Sequence, residues 1–141
     1  MKKILQNTLA VIAGIVGGSL VNMALVNVGP SIVAMPEGAD VSTIESLRES
    51  MKLFRPANFL FPFLAHAMGT LTGAFFAAQL AASHPLKFAM FIGVFFLLGG
   101  VAAVSMLGGP MWFKVADLLL AYIPMGYAGG ILACRNKRLG Q

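Results

Sequence analysis

The chain is poor in charge and in cysteine. Asp, Glu, Lys and Arg make up only 11% of its 141 residues, against about 25% in an average soluble domain. With 58% of residues hydrophobic, a soluble chain of this length could not hide its apolar surface in one small core. A soluble globular fold is thereby excluded, and lipid is the solvent for most of the chain. The single cysteine, Cys134, excludes an internal disulfide and any multi-cysteine metal site. Also missing are a Gly-x-x-x-x-Gly-Lys phosphate loop, a His-Glu-x-x-His pair, a serine nucleophile elbow and a run of arginines. The sequence therefore calls for no enzyme motif, no cofactor and no metal.

The spacing of the few charges gives the architecture. No charged residue occurs from Ile4 to Pro36, from Pro56 to Leu86, from Phe88 to Phe113, or from Leu118 to Cys134. Crossing about 30 Å of hydrocarbon at about 1.5 Å per residue needs about 20 mainly apolar residues. The expectation is an all-α integral membrane protein, a four-transmembrane-helix bundle forming a single domain. Its spans are residues 4–28, 58–82, 85–107 and 111–134, with a loop over 29–57 and a tail over 135–141. The last span reaches full length only if Asp117 and its neighbours are counted in. Met1-Lys2-Lys3 and the apolar run after it are read as a retained first helix, because the run is longer than a signal-peptide core and no clear cleavage site follows.

The formal charge of +5 does not point to nucleic acid, because the basic residues sit at chain ends and in loops, with no basic face interleaved with aromatics. With the N-terminus inside, Lys2, Lys3, Lys87, Arg135, Lys137 and Arg138 are cytoplasmic, and Arg48, Lys52, Arg55 and Lys114 lie outside. This distribution, with its short basic ends on one side, places both termini in the cytoplasm of a bacterial-type inner membrane. Trp112 fits an interfacial anchor at the outer mouth of the fourth span, and Cys134 falls at the inner end, where a thiol stays reduced.

Between the first two spans, Ser42-Thr43-Ile44-Glu45 reads as a capping box. Ile44, Leu47, Met51 and Phe54 then share one helical face, with Glu45, Arg48, Glu49 and Lys52 on the other. The pattern predicts a short amphipathic helix of about ten residues, ended by Arg55-Pro56, lying on the outer surface or capping the bundle.

Two features could carry function. The first is a set of small-residue stripes: Ala10, Gly14 and Gly18 leading to Asn22; Ala65, Gly69, Gly73, Ala77 and Ala81; and Tyr122, Gly126 and Gly130. Such stripes let helix backbones approach, either inside one bundle or between this chain and itself or another membrane subunit. The second is a set of polar side chains at one depth. His66 in the second span and Asp117 in the fourth both fall roughly 9–12 Å below the outer boundary. Asn22 approaches the same level from the first span, with Asn27 nearer the boundary and Tyr122 and Ser105 as further candidates. Ionisable groups within spans face the protein interior and mark functional sites by default. His66 and Asp117 could be a hydrogen bond gluing two helices, a proton, cation or small-solute site, or a catalytic pair; Asp117 could instead pair with Lys114. Pro124, followed by Gly126, Gly129 and Gly130, predicts a kink or weak point in the fourth span, and His84 belongs to the inner loop. Two readings of function follow: a protein working by helix association, as a homo-oligomer or an accessory subunit, or a small transporter or channel with an outward-facing polar cavity.

Overall fold

Four segments are long and apolar enough to cross a membrane: Lys2–Ile32, Pro56–Leu80, Pro85–Leu107 and Met111–Leu139. The computed structural model describes residues 1–140, and among them all regular structure is helical. In chain order the elements are α1 (Lys2–Ile32), α2 (Ile44–Ser50), a 3-10 turn (Pro56–Phe59), α3 (Leu60–Leu80), α4 (Pro85–Leu107), α5 (Met111–Leu120) and α6 (Ile123–Leu139). Helices are the natural outcome, because a span in lipid must satisfy its backbone hydrogen bonds within itself. Exposed faces are apolar as lipid contact requires: on α1, Leu5, Leu9, Ile12, Val16, Leu20 and Met23 recur every three or four residues and all face outward.

α3 is the central helix, packed against α1 on one side and against α4 and α6 on the others. Its Ala74, Ala77 and Ala78 form a buried cluster with Ala89 and Ile92 of α4 and Ala133 of α6. The seam between α1 and α3 is closer still. A methyl group on Gly14 would come within 2.6 Å of the Gly73 carbonyl oxygen, and one on Gly18 within 2.6 Å of the Gly69 carbonyl oxygen. Gly126 lies against Gly93, and Gly130 against Ala89 and Leu86. All six glycines of the stripes therefore meet a neighbouring helix of the same chain.

The chain termini and the α3–α4 turn occupy one end of the bundle, here the terminal end; the segment 33–59 and the α4–α5 turn occupy the other, the loop end. At the terminal end the Asn7 side chain accepts from the Ala82 amide at 2.8 Å and donates to Ser83 Oγ at 3.2 Å. Lys137 Nζ donates to the Ala81 carbonyl at 2.9 Å. At the loop end α4 turns into α5 through Gly108 and Gly109, whose φ angles of +77° and +91° suit glycine.

Several local expectations are corrected. α1 does not stop at Gly29-Pro30 but continues to Ile32 with Pro30 inside it. So near the C-terminus the proline removes one backbone bond only, and Val33 N–H still reaches the Gly29 carbonyl at 2.9 Å. The capping box lies one residue later than expected: Thr43 Oγ1 accepts from Ser46 N–H and Ser46 Oγ accepts from Thr43 N–H. Ser42 is drawn off because its amide donates to Asp40 Oδ1. α2 is seven residues long, shorter than the amphipathic pattern, and Ser50 ties its end to the Asp40 backbone. The fourth span has its weak point beside Pro124 as expected, but as a break at Ala121-Tyr122 rather than a kink at the proline, and α6 then runs into the basic segment as far as Leu139.

Candidate functional site

The break in the fourth span builds the site. Proline has no N–H to donate to the carbonyl four residues back, and its ring displaces that carbonyl. The backbone therefore yields upstream of Pro124, and Tyr122, with φ −116° and ψ −75°, is pulled well away from ideal helical angles. Pro124 itself lies in the first turn of α6, where a missing N–H costs nothing. In a continuous helix Tyr122 would point about 140° around the axis from Asp117. The break turns it back, and its hydroxyl donates to Asp117 Oδ2 at 3.0 Å. Gly100 of α4 provides the space, since a methyl group there would collide with the Tyr122 hydroxyl.

Asp117 is fully buried, and its other oxygen, Oδ1, lies 2.8 Å from His66 Nδ1. The His66 and Tyr122 rings are stacked, with centroids 5.8 Å apart. Thr70, itself buried, donates to the His66 carbonyl at 2.8 Å. Where Asp117 is ionised the carboxylate can only accept, and the imidazole proton then sits on Nδ1 with the Nε2 lone pair free. Nε2 has no hydrogen-bond partner among the described residues, and the His66 side chain is 24% exposed while Asp117 is 1% exposed.

His66 and Asp117 both line a cavity of about 430 Å³ at the loop end. α1 and α4 provide its sides through Val26, Pro30, Ala103 and Val104, and Leu47 and Phe54 of the loop segment cover it. The walls are mainly apolar, with Asn27, Asn58, His66 and Asp117 as the polar lining, the usual form of a small-ligand site. If His66 takes up a proton on Nε2, Asp117 supplies its counter-charge, so no isolated buried charge results.

Of the four residues expected in the polar set, His66, Asp117 and Tyr122 come together and Asn22 does not. Because α1 ends at Ile32, Asn22 is ten residues from its end, about 15 Å deep. It packs on the α1–α3 seam against Gly69. Asn27 donates to its own helix at the Met23 carbonyl, as Ser105 does at Val101. Lys114 makes no ion pair with Asp117. Among the described residues no group of three or more His, Cys, Asp or Glu side chains could hold a metal ion. The sequence reading passed over buried Asn58, which accepts from the Arg55 amide and donates to the Ala34 carbonyl, fixing the loop beside the cavity. Its position just after Arg55-Pro56, at the start of an apolar run, is a capping signal. In that loop the hydroxyl and amide of Ser42 hold the Asp40 carboxyl below its ordinary value, and Lys52 does the same for Glu49.

Fold and site define a class: a multi-pass, four-span membrane protein with a His–Asp–Tyr cluster beneath a cavity at one end. No protein family, curated protein or solved structure matches this chain.

Proposed function

We propose that the protein is a small transporter or channel working at the loop-end cavity, where it handles a proton, a cation or a small polar solute. His66 Nε2 is the contacting atom, Asp117 holds the ring and balances its charge, and Tyr122 positions Asp117. The observation carrying this reading is that His66 lines a cavity with its Nε2 unpartnered while its Nδ1 is committed to a buried carboxylate. The Lys/Arg distribution supports a bacterial-type inner membrane with both termini cytoplasmic, so that the cavity faces outward.

The test is reconstitution in liposomes with an internal pH dye and with sodium or potassium gradients. Wild type conducts above protein-free vesicles, and His66→Ala and Asp117→Asn abolish the flux while the protein stays folded and monodisperse. Absence of wild-type flux, with both substitutions merely lowering thermal stability, sinks the reading and leaves the pair a structural bond. A second reading, association as a homo-oligomer or accessory subunit, rests on the outer face of α4, where Gly99 meets nothing within 4 Å. A Gly99→Leu variant that changes the oligomeric state in native mass spectrometry would favour it.

A further inference from the structure

A second cavity, of about 530 Å³, lies beside the first on the loop-end surface, between α2 and the turn into α5. Arg48 of α2 and Lys52 of the turn that follows it line the cavity, as does Lys114 of α5. No acidic residue lines it. Glu49 beside it is engaged by Lys52, and among the described residues Arg48 and Lys114 have no ion-pair partner. The unpaired charges round the hollow are thus Arg48 and Lys114, and like charges at one hollow repel one another unless an anion joins them. The hollow also borders the start of α5, where Pro110 provides no side-chain cap. Phe113 and Lys114 N–H donate to the Pro110 carbonyl, so among the described residues only the Met111 and Trp112 amides lack a partner at the positive end of the helix dipole, an arrangement that suits phosphate.

The rest of the lining is apolar and aromatic. Phe59 and Trp112 meet edge to face with centroids 5.6 Å apart, and Met51 completes that wall. Trp112 is half exposed, as an interfacial tryptophan is. The capped α2, tied through Ser50 to Asp40, fixes the backbone that carries Arg48 at the edge of the cavity. A free inorganic anion needs only the cations. An amphiphile carrying phosphate uses the cations for its head and the Phe59–Trp112 wall for the start of its chain.

We propose that this cavity is a binding site for a phosphate-bearing anion, recognised by Arg48, Lys52, Lys114 and the amide end of α5. The phosphate of a lipid headgroup and free phosphate share this chemistry, and the apolar wall favours the lipid. The proposal stands apart from the transport reading, since it uses neither His66 nor Asp117.

Trp112 is the only tryptophan and lines the cavity, so its emission reports occupancy. The full chain is placed in phosphatidylcholine nanodiscs, with phosphatidylglycerol or phosphatidylcholine brominated on the acyl chain added at equal mole fraction. Brominated phosphatidylglycerol quenches Trp112 at several-fold lower mole fraction than brominated phosphatidylcholine. Each basic side chain carries about a fivefold preference, so Lys114→Gln cuts the preference about fivefold while Lys114→Arg keeps most of it. The surface triple variant Arg48→Gln, Lys52→Gln, Lys114→Gln removes it; should that variant fail to fold, the Lys114 pair decides. If millimolar inorganic phosphate alone shifts the emission and displaces the lipid preference, free phosphate is the ligand and the site's chemistry stands. If phosphate has no effect and the lipid preference persists, the ligand is the headgroup. Equal quenching by the two lipids, with no response to inorganic phosphate, overturns the proposal.

Discussion

The two ends of the bundle are built from opposite materials. Toward the terminal end, the seam is made of glycine and alanine: Gly14 on Gly73, and Ala77 and Ala78 of α3 against Ala89 and Ala133. Helix backbones come together there, and Asn7 and Lys137 tie the α3–α4 turn to the neighbouring helices. At the loop end, rings stand between the helices. Phe54, Phe59, Trp112 and Phe113 contact one another, and both cavities lie among them. In a bilayer no hydrophobic force draws helices together, so side-chain size decides how closely they pack. Small residues close one end, large residues leave the other open, and the polar cluster lies at the open end.

The seam is the place to break this contrast most severely. Gly73→Leu would drive a side chain into the Gly14 carbonyl and the Ile92 side chain. We expect it to cost more than about 3 kcal/mol, read as loss of monodisperse protein or a collapse of Tm. Gly99→Leu, on a surface with no close neighbour, should stay within about 0.5 kcal/mol of wild type in the same assay. Equal damage from the two would mean that the tight seam is not what holds the bundle.

The polar cluster gives smaller effects, which sharpen the comparison. Asp117→Asn keeps the shape but cannot accept on both sides of the carboxyl group, leaving Tyr122 or His66 without its acceptor. About 1–3 kcal/mol of stability is lost. Tyr122→Phe removes one hydrogen bond and should cost about 1 kcal/mol. Both are measurable by unfolding in mixed micelles, and a cost for Tyr122→Phe as large as for Asp117→Asn would contradict the geometry.

The spans were legible because charge is scarce and lipid punishes it, so the uncharged runs map almost directly onto helices. Depth arithmetic also brought His66 level with Asp117, since each lies a few residues from a well-marked helix start. The same arithmetic misplaced Asn22, because it assumed that Pro30 ends α1, and a proline near a helix C-terminus breaks little. Tyr122 joined the set by depth, but its contact with Asp117 was hidden by the break, which falls two residues before Pro124. The capping box moved from Ser42 to Thr43 because Asp40 competes for the Ser42 amide, a local hydrogen bond that the four-residue pattern does not record. A polar cavity at the His66–Asp117 level was one reading of the sequence, but the apolar walls of that cavity and the whole of the second were hidden for a different reason. Hydropathy treats alanine and phenylalanine as equally at home in a span, whereas packing distinguishes them by volume.

Cysteine accessibility tests the contrast between the ends most directly. In a Cys134→Ser background, Ala103→Cys lies in the wall of the loop-end cavity and Ala78→Cys in the alanine core. A small water-soluble thiol reagent applied to the folded protein should modify the first and spare the second. Modification of the cysteine at position 78 as fast as that at position 103, or protection of both, would contradict the account of one closed end and one open end.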